Sequence, residues 1–128
     1  MSKFTGQDPL GRYLDNGVDF VLCEPMEYFL SQKEGVGESI IVPAGFITDF
    51  ASIPRIIQLI LPNSIGRRAA IVHDYLYRTN GLRGKFTRQQ SDQIFLGALE
   101  VLGVRYTRRI CLYIGVRIGG WLPWSKHK

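Results

Sequence analysis

With 128 residues, 45% of them apolar, the chain has the length of one domain and enough apolar sequence for one core. Six Tyr, seven Phe, two Trp and a charged fraction of 21% exclude a disordered composition. The net charge is +5 and uneven: no acidic residue follows Glu100, whereas Arg105, Arg108, Arg109, Arg117, Lys126 and Lys128 do.

No apolar run approaches the roughly 18 residues needed to cross a bilayer, so no membrane span is expected. Met1–Asp8 lacks the apolar stretch of a signal peptide, so export by that route is not expected either. Cys23 and Cys111 stand outside any C-x-x-C or Cys/His ligand spacing, which excludes a zinc module and a disulfide framework. Both are expected as reduced core residues.

In chain order, residues 12–30 read as strands. Arg12–Asp15 and Val18–Leu22 flank Asn16-Gly17, the two-residue signal of a tight hairpin, because Asn and Gly tolerate the positive φ angles such a turn requires. Pro25 limits the continuing strand to an edge or a bend. Ser31–Glu38 is a polar, Gly-punctuated loop, followed by Ser39–Val42 as a third strand and Phe46-Ile47 as a short fourth.

From Pro54 the period of apolar residues changes from two to nearer 3.6. Pro54 suits the first turn of a helix running to Leu61, with Ser52 as its cap and Pro62 as its stop. A second helix is expected over about Arg67–Arg78, ended by Asn80-Gly81. Thr87-Arg88-Gln89-Gln90 is a capping box and opens a third helix, whose core face is Ile94, Phe95, Ala98, Leu99 and Leu102 and which ends at Gly103. A fourth runs over about Tyr106–Ile118. The expected fold is therefore α+β: a small N-terminal antiparallel β-sheet (about 12–50) followed by about four α-helices (54–119), in one domain over 1–128. An apolar and basic tail (120–128) closes it. In that tail Trp121-Leu122-Pro123-Trp124 must lie against something apolar, either the parent domain or a partner.

Three polar features stand out. Thr48-Asp49-Phe50-Ala51-Ser52-Ile53-Pro54-Arg55 lies at the passage from strands to helices, His73-Asp74-Tyr75-Leu76-Tyr77 sits within the second helix, and Asp92 lies one turn into the third. His73 and Tyr77, four apart, share a helix face, while Asp74 is turned by about 100°. If helices two and three run antiparallel, Asp92 approaches His73. An Asp accepting a hydrogen bond from one imidazole nitrogen would leave the other as a base, which is the logic of many hydrolytic sites. Asp49 and Asp74 could then hold a hard divalent cation such as calcium or magnesium. The competing reading is a buried His–Asp–Tyr network that fixes helix register, with Asp49 capping a helix and Arg55 paired to it. No G-x-S-x-G elbow surrounds Ser52, which makes it a weaker nucleophile candidate.

Val42-Pro43-Ala44-Gly45-Phe46-Ile47-Thr48-Asp49-Phe50-Ala51-Ser52-Ile53-Pro54-Arg55 and Ala69-Ala70-Ile71-Val72-His73-Asp74-Tyr75-Leu76-Tyr77, followed by Asp92 and Phe95, resemble a phage and prophage family of uncharacterised small proteins. The likeness runs from about Ser39 to Gly120. It implies a phage genomic setting near tail or lysis genes, a location in the host cytoplasm during phage production and in the virion, and other virion or assembly proteins as partners. Self-association is a further expectation. His73-Asp74-x-x-Tyr77 followed by Asp92 is also similar to the helix pair of phospholipases A2. That similarity implies His73 as the base, Asp74 as a calcium ligand, and Tyr77 and Asp92 as supports. The Gly-rich calcium loop and flanking half-cystines of that family are missing here.

The functional expectation is a phage-encoded accessory protein with a hydrolase-like site: His73 and Asp92 catalytic, Asp49 and Asp74 metal-binding, Ser52, Arg55 and Tyr77 supporting. The alternative is a non-enzymatic virion or tail protein in which the same cluster is a structural clamp and Trp121 and Trp124 bind a partner. Nucleic-acid binding through Arg105, Arg108 and Arg109 ranks last, because +5 is modest for that purpose.

Overall fold

The computed structural model describes residues 3–4, 11–15, 19–30, 39–48, 53 and 63–126. The chain is α+β, and it divides into two compact units, Met1–Asp49 and Phe50–Lys128. The second unit begins at Phe50, four residues before Pro54, where the apolar period changes in the sequence. The Asn16-Gly17 turn, the Ser31–Glu38 loop and the Pro54–Leu61 helix lie outside the described residues.

The first unit holds β1 (Lys3–Phe4), β2 (Gly11–Tyr13), β3 (Phe20–Leu22), β4 (Met26–Phe29), β5 (Ser39–Val42) and β6 (Ile47–Thr48). They form two three-stranded antiparallel sheets, ordered β1-β4-β5 and β2-β3-β6. Alternation explains the register. Met26 faces Val42 and Tyr28 faces Ile40, all four buried, while Glu27 faces Ile41 on the outer side. A slip by one residue would put Glu27 and Ile41 into the core, so the pattern admits one pairing. β2 and β3 pair with Tyr13 opposite Phe20, the partners expected of the predicted hairpin. The chain bends at Cys23-Glu24, and Pro25 ends just before β4, so its missing N–H removes no hydrogen bond from the central strand of that sheet.

The second unit contains α1 (Asn63–Arg78), a short left-handed turn α2 (Asn80–Gly84), α3 (Arg88–Val101), α4 (Tyr106–Gly119) and α5 (Trp121–Lys126). α1 begins four residues before the expected Arg67. Arg68 through Asp74 are buried without a break, together with Leu76 and Tyr77, as in a helix covered on nearly all sides. Asn80, Gly81, Leu82 and Arg83 all have positive φ. This costly conformation is held by the Leu82 N–H, which donates to the Thr79 hydroxyl (3.0 Å), and by the Phe86 N–H, which donates to the Gly81 carbonyl (2.9 Å).

The capping box at α3 is complete: the Gln90 N–H donates to the Thr87 hydroxyl (3.1 Å) and the Thr87 N–H to the Gln90 side chain (2.8 Å). Thr87→Ala is therefore expected to cost about 1 kcal/mol, measured as a lower urea midpoint at unchanged m-value. Ile94, Phe95, Ala98 and Leu99 are buried as expected, whereas Leu102, expected on the same face, is the half-buried C-cap.

One expectation needs correction. Cys23 and Cys111 are free thiols but exposed, not core. Cys23 falls in the bend before Pro25, and Cys111 points out of α4, whose buried positions are Leu112 and Val116. The tail, expected to lie against the parent domain or a partner, is a short helix, α5, that packs on its own unit through Trp124. The Asn80 side-chain amide donates to the Trp124 carbonyl (3.0 Å), and the Trp124 ring stands edge-on to Tyr77 at 5.1 Å between centroids.

Candidate functional site

The site begins with the four-residue spacing of His73 and Tyr77, which puts both on the side of α1 that meets α3. Going up α1 from 73 to 77, the partners on α3 descend from Phe95 and Asp92 to Arg88, so the two helices run antiparallel. The left-handed turn between them makes that reversal within a few residues.

Asp92 is the hub. Its Oδ1 lies 2.7 Å from His73 Nε2 and accepts the Tyr77 hydroxyl at 2.6 Å; its Oδ2 accepts Arg117 Nη1, from α4, at 2.9 Å. His73, Tyr77 and Asp92 are completely buried, while Arg117 reaches in from a position one-third exposed. Burying a carboxylate is costly unless it is paired and hydrogen-bonded, and here both oxygens are used. The His73 ring packs between Tyr77 (4.3 Å) and Phe95 (4.7 Å).

Arg88 forms an outer layer. Its Nε donates to the Tyr77 hydroxyl (3.2 Å), and its Nη2 donates to the carbonyls of Val116 (2.9 Å) and Arg117. Those carbonyls belong to the last turn of α4, whose C-terminal end attracts positive charge; the Val116 carbonyl also accepts the Gly120 N–H (2.9 Å). One network thus joins α1, α3 and α4, and Trp124 attaches α5 to it through Tyr77.

Burial pushes the Tyr77 hydroxyl well above its ordinary value of about 10, and the neighbouring Asp92 charge and the hydrogen bond to Asp92 push it further; Arg88 opposes this. The sign of the linkage follows. A phenol harder to ionise in the folded state contributes stability in full below pH 10 and loses it as the pH rises past 10, where the unfolded chain ionises first. Alkaline absorbance titration should show Tyr77 among the tyrosines that do not ionise until the protein unfolds. Tyr77→Phe should remove one tyrosine from that delayed step and cost about 1–2 kcal/mol near neutral pH.

The expected residues divide as follows. His73, Asp92 and Tyr77 come together as read from spacing. Asp74 is buried and pairs with Arg78 one turn on (Nε to Oδ2, 3.0 Å), so a guanidinium already sits against the carboxylate assigned to a cation. Asp49, Ser52 and Arg55 lie outside the described residues. Among the described residues no three His, Cys, Asp or Glu side chains group as metal ligands. Trp121 is exposed, whereas Trp124 packs on Tyr77. Arg88 and Arg117 were missed. Arg88 was hidden inside the capping-box string, and Arg117 lies 25 residues from Asp92, beyond any local spacing.

No curated protein and no solved structure gives a significant match to the chain. A family model does match, over residues 20–116, a span that takes in β3 through most of α4 and every member of the network except Arg117 and Trp124. The chain therefore belongs to the family described as protein of unknown function, DUF1353.

Proposed function

We propose that the chain is a non-enzymatic component of a phage or prophage particle or of its assembly, and that the His73–Asp92 pair is an interhelical clamp. The observation that carries this reading is the completely buried Asp92 carboxylate, with His73, Tyr77 and Arg117 on its two oxygens. A general base must reach a proton on a substrate, and the His73 ring is completely buried between Tyr77 and Phe95. The phage setting is supported by the two sequence strings over Val42–Arg55 and Ala69–Tyr77.

His73→Gln separates the two roles. Glutamine keeps an N–H for Asp92 but supplies no base. In a phage that encodes the chain, deletion should reduce the yield of intact particles, and a His73→Gln copy that folds should restore it. A folded His73→Gln protein that restores nothing would overturn the clamp reading in favour of chemistry at His73. A deletion without effect on particles would overturn the assembly role.

A further inference from the structure

The modest net charge conceals a division between the two units. Residues 1–49 carry eight acidic and three basic residues, a net of −5; residues 50–128 carry thirteen basic and three acidic residues, a net of +10. Of the three acids in the helical unit, Asp74 and Asp92 are buried against arginines and Glu100 lies 3.5 Å from Arg109. Its surface is therefore strongly positive.

That basic unit also exposes an apolar face. On α4, Cys111, Ile114 and Ile118 follow one another at spacings of three and four and so share one side of the helix. Gly120 keeps a helical backbone between α4 and α5, and Trp121 continues the exposed run. Ile118 is 72% exposed and Trp121 59%. Arg105 and Arg108 are exposed beside it. The acidic unit has its own exposed apolar residues, Ile41 at 57% and Ile47 at 44%, along with exposed Asp15 and Glu24. Apolar surface bordered by charge marks an association site.

We infer that the occupant of the α4 face is a second copy of this chain, with the acidic β unit of one copy on the basic helical unit of the other. Two α4 faces meeting each other would bring like charges together, whereas the acidic unit of one copy and the basic unit of another attract. Made reciprocally, with each copy's acidic unit on the other's basic unit, the contact closes as a dimer; made once per copy, it repeats into a ring or a filament. This rests on the assembly role proposed above and names its partner.

Sedimentation velocity on the full chain over a concentration series tests it. Association should be present at about 0.01 M salt and weaken at least ~10-fold near 1 M, where the screening length falls from about 30 Å to about 3 Å. The pair Arg105→Glu and Arg108→Glu in one variant, and Asp15→Lys and Glu24→Lys in another, alter exposed positions and should leave the circular dichroism spectrum unchanged. Each variant alone should be monomeric, and an equimolar mixture should associate again. Ile118→Ser should weaken association while leaving its salt dependence in place. A chain monomeric at every concentration in low salt overturns the inference, as does a dimer that both reversals leave intact or that mixing fails to restore. None of those results bears on the particle-yield experiment, so an assembly role with a different partner would remain distinguishable.

Discussion

Replacing Asp92 with alanine should cost about 3–5 kcal/mol of unfolding free energy, because it removes the shared acceptor of His73, Tyr77 and Arg117 and leaves buried donors without it. The loss should appear as a lower urea midpoint and a melting temperature reduced by of order ten degrees or more. Asp92→Asn should fall between, since one amide oxygen can still accept while the amide nitrogen confronts a donor. The pairing with Tyr77 can be separated by a double-mutant cycle: Tyr77→Phe should matter much less once Asp92 is alanine, by an interaction energy of about 1 kcal/mol or more. A total loss below about 1 kcal/mol for Asp92→Ala would mean that the network is not a clamp. A neutral or stabilising effect is what a site strained for chemistry would give.

Gly81→Ala should be nearly as damaging, at about 3 kcal/mol or more, for a reason unconnected with charge. Gly81 has φ of +70°, and a Cβ built on it would lie 1.8 Å from the Phe86 carbonyl oxygen. The carbonyl would have to move, and with it the hydrogen bond from the Phe86 N–H to the Gly81 carbonyl that closes the turn before α3. Gly84→Ala is the control. Its φ of +96° carries a similar backbone penalty, but a Cβ there meets nothing within 4 Å, so the cost should be about 1–2 kcal/mol. Equal losses for the two variants would show that backbone conformation alone matters and that the contact with Phe86 is unimportant. The turn sets where Arg88 and Asp92 stand relative to Tyr77 and His73, so Gly81→Ala should also blunt the delayed alkaline ionisation of Tyr77.

The network accounts for several otherwise separate choices in the sequence. A helix as fully buried as α1 would ordinarily carry few polar side chains, yet His73, Asp74 and Tyr77 lie within it. Each is tied to a partner: His73 and Tyr77 to Asp92, Asp74 to Arg78. Arg88 does double duty in geometric terms, joining Tyr77 to the carbonyl end of α4. A satisfied polar cluster of this kind fixes which turn of one helix faces which turn of the next, where apolar side chains alone would tolerate a slide.

Sequence by itself determined the local features whose causes are local. The Asn16-Gly17 signal set Tyr13 opposite Phe20, Thr87 with Gln90 marked the start of α3, and the spacing of His73 and Tyr77 put them on one face with Asp92 in reach. These follow from backbone periodicities and from hydrogen bonds a few residues long, which a linear sequence displays directly. Only the tertiary structure decided that Asp92 would take Arg117 from α4, that His73 would be completely enclosed, that Cys111 would face outward, and that Trp124 would return to Tyr77. Each of these depends on which elements surround a side chain. The same His and Asp at the same spacing form an exposed base or a buried clamp according to what packs over them, and that covering comes from residues far away in the chain.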